Sequence, residues 1–153
     1  MAASFDDWVT ATHDLYTAMR KNRGRLAQST AGLSLSQLSM LEVLLTDGPM
    51  TVSGIAAVAG VSGPSATRAL KQLERDSVVT RQRSVIDERV VVVTLTDHGR
   101  WLVERQREAL REIQQQHFAS LSAEERENFV DVLQRMAKWI GEWQELPPEL
   151  PPG

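Results

Sequence analysis

The feature that most restricts the fold is a pair of short, capped helical segments followed at once by two β-branched runs. Thr51 sits where a hydroxyl can cap a helix over Val52–Ala59, and Gly60 can close it. Ser62 can cap a second helix from Gly63 to about Asp76, with Pro64 in its first turn, where a missing N–H costs nothing. Two helices joined by Gly60-Val61-Ser62 form a helix-turn-helix pattern. In the second helix Ala66, Leu70 and Leu73 fall on one side at steps of four and three, so Ser65, Arg68, Lys71, Gln72 and Arg75 face elsewhere.

The runs Val78–Arg83 and Arg89–Leu95 favour strands. Their link, 84–88, lacks the Gly or Asn of a primed two-residue turn, so a longer loop containing Asp87 is expected. Helical stripes flank this centre. One passes through Phe5, Trp8, Thr12, Leu15, Met19 and Leu26 and ends near Gly32; its basic end Arg20–Arg25 reads as solvated or as capping orphan carbonyls through the helix dipole. A second spans Leu35–Leu45 and stops at Asp47-Gly48-Pro49. Thr96 opens a long helix to about Phe118, and Ser122-Ala-Glu-Glu125 matches a capping box. The last helix carries Phe129, Leu133, Met136, Ile140 and Trp143, and the Pro-rich tail 146–153 is expected to be extended. Such stripes usually form core, but these exceed what a small central module covers, and a second copy of the chain would cover the excess.

The expected fold class is therefore mainly α with a small β-hairpin wing. It joins a winged helix-turn-helix lobe, 34–95, to a helical dimerisation region, 4–30 and 96–145, in one domain over 1–153. With no cysteine among 153 residues, disulfide, zinc-ribbon and thiol-redox chemistry are excluded. The start lacks a basic flank followed by an apolar run, and no apolar run is long enough to span a bilayer, so the expectation is a cytoplasmic protein without membrane contact. The net charge of −3 is unevenly spread: Ser62–Arg107 holds nine basic and six acidic residues, leaving the remainder at −6. His13, His98 and His117 lie far apart, and no phosphate loop or nucleophile motif occurs. No enzyme, metal site or cofactor is expected.

Several segments in order resemble the MarR family of bacterial regulators. They are Leu35-Ser-Gln-Leu-Ser39, Gly48-Pro-Met-Thr51, Ile55-Ala56, Gly60-Val-Ser62, Pro64-Ser-Ala-Thr-Arg-Ala-Leu70 and Leu73-Glu74. The most specific piece is Asp87-Glu-Arg89 leading into Val93-Thr-Leu95-Thr96 and Gly99-Arg100. The likeness spans roughly residues 30 to 105. It implies a regulator of transcription, a repressor, that binds a palindromic operator in double-stranded DNA as a homodimer whose first, fifth and sixth helices interlock. It also implies a recognition helix in the major groove and a wing whose Arg89 reaches the minor groove.

The candidate DNA-binding residues are Ser62, Ser65, Thr67, Arg68, Lys71, Gln72, Arg81, Arg83, Asp87 and Arg89. Arg, Lys and Gln donate to phosphates or base edges, and arginine is drawn to a narrow minor groove. Asp87 reads as a partner that orients Arg89, since phosphates repel it. Ser62 is first a helix cap, and Arg89 has the alternative of beginning a strand. Three departures from the family pattern stand out: Ser77 where Gly is common, Gly63 near the helix start, and the apolar pair Val85-Ile86 in the wing. The resemblance further implies a pocket for a small aromatic effector, with Trp8, His13, Tyr16 and Trp101 as candidate lining; aromatic core is the alternative. A different class also stays open: a winged-helix protein-interaction module without DNA binding, in keeping with the acidic total charge.

Overall fold

The computed structural model describes residues 3–87 and 89–142. The expected roles of Glu88, Trp143 and the tail 146–153 lie outside the described residues. In chain order the elements are α1 (Phe5–Ala31), α2 (Leu35–Asp47), β1 (Met50–Thr51), α3 (Val52–Ala59), α4 (Gly63–Arg75), β2 (Val79–Arg83), β3 (Val91–Leu95), α5 (Asp97–Ser120) and α6 (Ala123–Gly141). The chain divides into two compact units, Met1–Arg111 and Glu112–Gly153.

The first unit is organised around α2. Leu38, Met40, Leu41 and Leu44 of that helix are buried with Ile55 of α3, Ala66, Leu70 and Leu73 of α4, Val79 of β2 and Val93 of β3. Ala27 of α1 and Leu102 and Val103 of α5 join the same core. The three strands are antiparallel in the order β1-β3-β2. The expected hairpin is thus the larger part of a sheet whose third strand, with Met50 opposite Val93, is too short to leave an alternation in the sequence. Both long strands are also shorter than their β-branched runs: Val78 precedes β2, and Arg89 and Val90 precede β3.

Caps fix the helix starts at Thr51, Ser62 and Ser122 as expected, and at Ser4 and Ser34, which the sequence reading did not mark. Ser4, Ser34, Thr51, Ser62 and Ser122 each accept a backbone N–H from the first turn. The Asp7 carboxyl is held below its ordinary range by the Ser4 side chain and then the Ser4 N–H. Glu125 is lowered likewise by the Ser122 N–H and then its hydroxyl. This favours the folded state above the ordinary carboxylate range and fades as pH falls through the lowered values. Helix α1 runs to Ala31 and is closed by Gly32, as expected, but no basic residue lies in its last turn, so Arg20–Arg25 is not its basic end and caps no carbonyl there. Arg23 instead meets Glu42 of α2, Nη2 to Oε1 at 3.4 Å.

The apolar stripes of α1 and α6 do not enter the core of the single chain. Phe5, Trp8, Leu15 and Met19 are exposed on α1, and Phe129, Leu133 and Ile140 on α6, which buries no residue at all.

The end of α4 is closed by a Schellman motif: Ser77 N–H donates to the Glu74 carbonyl at 3.0 Å and Val78 N–H to the Leu73 carbonyl at 2.8 Å. Ser77 takes the left-handed conformation, φ 57°, the one non-glycine among the described residues to do so. Its carbonyl, with that of Val78, shares the hydroxyl proton of Thr96, at 2.7 and 2.9 Å. The Thr96 hydroxyl in turn accepts from Gly99 N–H at 3.0 Å, capping α5. A Cβ on Gly99 would overlap the Val78 carbonyl oxygen and meet Leu95 Cδ1 at 2.8 Å. Two outcomes follow in thermal unfolding. Ser77→Gly relieves the left-handed penalty and gains up to about 1 kcal/mol after the unfolded-chain entropy of glycine is counted. Gly99→Ala loses about 2 kcal/mol or more, because backbone stands where the methyl would go.

Candidate nucleic-acid interface

The face of α4 opposite Ala66, Leu70 and Leu73 carries Ser65, Arg68, Lys71, Gln72 and Arg75, all exposed. Thr67 is half-buried at its edge. At the helix start the Ser62 hydroxyl accepts from Ser65 N–H at 3.3 Å and donates to the Ser65 hydroxyl at 2.8 Å. Ser62 is therefore a cap first, as its position predicts. No ion pair engages Arg68 or Lys71 among the described residues. Gln72 is less open: its amide nitrogen reaches both Asp76 carboxylate oxygens at 3.0 Å, and its oxygen accepts from Arg75 Nη2 at 2.6 Å. Any base that Gln72 reads must displace these partners.

Ser65, Arg68, Gln72 and Arg75 share a shallow polar cleft with Ser34 and Gln37 at the start of α2. The sequence reading did not single out those two residues for binding. The signal was present as a capping box, with Ser34 N–H donating to Gln37 Oε1 at 2.9 Å, but only the fold sets that helix start beside α4. Exposed N–H groups at a helix start favour anions.

On the wing, Arg81 and Arg83 point to one face of β2, with Gln82 on the other. Arg81 is half-buried and turned back to Glu74 of α4, Nη1 to Oε2 at 3.6 Å. It thereby joins the wing to α4. The loop after Arg83 is closed by two backbone hydrogen bonds, Ser84 N–H to the Val90 carbonyl at 2.8 Å and Val90 N–H to the Asp87 carbonyl at 2.9 Å. Inside it the Asp87 carboxylate accepts from the backbone N–H of Arg89 at 2.9 Å. Asp87 orients Arg89 through the main chain in an Asx turn, and the strand begins only at Val91. The Arg89 side chain is exposed.

The four candidate effector residues separate. Tyr16 lines two neighbouring clefts along α1. One of about 460 Å³ is shared with Met19, Arg20, Leu35, Ser39 and Val61. The other brings in His13 and Thr17. Trp8 and Trp101 line neither. Trp101 stacks on His98 at 6.0 Å between ring centroids, with the Arg105 guanidinium 5.1 Å from its ring. Among the described residues no group of three or more His, Cys, Asp or Glu is placed to hold a metal ion. Among the described residues no helix is long and apolar enough to cross a membrane.

The model of the MarR family matches residues 33–91, the stretch from the start of α2 to the start of β3. The helix-turn-helix transcriptional regulator ML2140 of Mycobacterium leprae is 34% identical over 121 residues, 79% of this chain and 80% of that protein. The chain belongs to the MarR family. The helix-turn-helix transcriptional regulator YdgJ of Bacillus subtilis is 34% identical over 109 residues, 71% of this chain; the chain spans 66% of that relative's length. Streptococcus pneumoniae FabT, solved in complex with DNA, superposes with a TM-score of 0.79 over 92% of this chain and 100% of that one, at 18% identity. The MarR winged-helix fold is thus present, and the relatives are named as transcriptional regulators rather than enzymes.

The Arg81–Glu74 pair is partly solvated, so it contributes little to stability. A double-mutant cycle of Glu74→Ala and Arg81→Ala in denaturant unfolding should give a coupling below about 1 kcal/mol. A larger value would make the pair a structural strut of the lobe.

Proposed function

We propose that this MarR-family regulator binds a palindromic site in double-stranded DNA as a homodimer and represses transcription by occupying it. One observation carries the reading: α4 is anchored by Ala66, Leu70 and Leu73 and turns Arg68 and Lys71 outward without ion-pair partners among the described residues. On this reading Ser62, Ser65 and Thr67 approach phosphates at the helix start. Arg68, Lys71 and Gln72 reach phosphates and base edges. Arg83 and Arg89 carry the wing to the minor groove, with Asp87 holding the Arg89 backbone, while Arg81 braces the wing and meets phosphate with whatever charge Glu74 leaves unneutralised. The DNA held by the similarly folded pneumococcal protein supports it. So do the uncovered apolar residues of α1 and of α6, each of which a second chain would bury. A dimer also doubles the local positive excess. The 34–95 lobe would then read DNA while 4–30 and 96–145 hold the copies together, in the cytoplasm where its target lies. An aromatic effector is the second part of the proposal: the clefts at Tyr16 are in the volume range of small-molecule sites and pair an aromatic ring with Arg20.

The duplex reading is tested by selecting sites from random DNA with the full chain and titrating binding against salt. Affinity should fall steeply as salt rises, with half-sites one helical turn apart. Arg68→Ala and Arg89→Ala should each weaken the selected duplex by about tenfold or more. Parental affinity in both variants would remove these residues from the interface, and salt-insensitive or absent binding would favour a protein-interaction module. Sedimentation should give twice 17.1 kDa. For the effector, benzoate should raise the melting temperature of the parent but not of Tyr16→Ala; equal shifts would place the ligand elsewhere.

A further inference from the structure

The wing ends in an apolar point. Val85 and Ile86 are 103% and 98% exposed, more than any other large apolar side chain described in the chain. Neither holds the loop together. The closing bonds belong to the backbone of Ser84, Asp87 and Val90, and the side-chain bonds to Ser84, which accepts from Ile86 N–H at 3.2 Å, and Asp87. As exposed in the folded chain as in an unfolded one, these two β-branched aliphatic side chains contribute no burial to folding. The cations sit on the shoulders. Arg83 ends β2 opposite Val91, Arg89 stands two residues before Val91, and Val85-Ile86 lies between and beyond them.

That arrangement fits a particular surface. The minor groove of B-DNA is about 6 Å wide, with phosphates along both rims and sugar and base edges below. Paired cations on the shoulders match the rims, and an apolar tip between them matches the floor. Aliphatic side chains that enter a minor groove part the base stack and kink the duplex toward the major groove, most readily at pyrimidine–purine steps. We propose that Val85 and Ile86 form an apolar wedge, inserted by the wing into the minor groove, that unstacks a flexible base step and bends the bound site. The proposal rests on the duplex reading above and adds a mode of recognition to it: sequence is sensed beneath the wing through deformability, without a hydrogen bond to a base.

The experiment uses the full chain and a duplex recovered by selection, with 2-aminopurine placed in turn at each step beneath the wing and donor and acceptor dyes at the two ends. The parent should raise 2-aminopurine fluorescence at one step per half-site and shorten the end-to-end distance. The variant Val85→Ser/Ile86→Ser keeps every charge. It should lose that fluorescence and most of the bend, bind the selected duplex about tenfold more weakly, and keep the parental salt slope. Because both side chains are exposed, circular dichroism of the variant should match the parent. Parental affinity and bend in the variant would overturn the wedge alone. A changed salt slope would also overturn it, by showing that the tip acts through the arginines. Failure of the parent to select any duplex would overturn the duplex reading itself, and the wedge with it.

Discussion

The junction at Ser77, Val78, Thr96 and Gly99 is the point on which the lobe depends. One threonine hydroxyl shares its proton between two carbonyls that follow α4 and accepts an N–H from the first turn of α5, that of Gly99. Thr96 N–H adds a third bond across the same gap, to the Val78 carbonyl at 3.1 Å. The end of α4, the root of the wing and the start of α5 are thereby pinned to one another. Gly99 is required because α5 comes so close to the Val78 carbonyl that no side chain fits. Ser77 bears a left-handed backbone so that the chain leaves α4 in the direction of β2. A shift at this junction would move the wing relative to α4.

From that fixed point the charges sort by role. Arg81 faces Glu74 and joins the wing to the helix behind it. Gln72 is engaged with Arg75 and Asp76. Arg68 and Lys71 remain outward on a helix whose other face is wholly buried. A chain with a net charge of −3 can therefore present cations where the fold turns them out, because its acids lie mostly elsewhere or are spent on neighbours. Total charge is a poor guide to a local surface.

Much of the fold was legible from single residues. Hydroxyls at Thr51, Ser62 and Ser122 marked helix starts, and glycines at 32, 48 and 60 marked ends, while the caps Ser4 and Ser34 went unread. These signals are local, set by backbone N–H groups and φ angles within one turn of the chain. The Leu95-Thr96 and Gly99 pattern was legible as a family mark, but its meaning was not, since the partner carbonyls of Ser77 and Val78 are about twenty residues away. The same distance hid the partner of Arg23, read as solvated yet paired with Glu42. The two-residue β1 left no periodicity to find. The aromatic stripe of α1 was periodic enough to suggest core, and yet it stands outside it.

The sequence by itself determined every element but β1, their order, the buried face of α4 and the family resemblance, because each depends on spacing within a few residues or on a linear motif. Only the tertiary structure decided which cations are spent and which face outward, where Tyr16 and His13 meet a cleft without Trp8 or Trp101, and that Ser34 and Gln37 flank the recognition helix. Those facts depend on side chains brought together from distant parts of the chain. A capped helix announces itself in four residues, whereas a salt bridge between a strand and a helix exists only once both are packed on the same core.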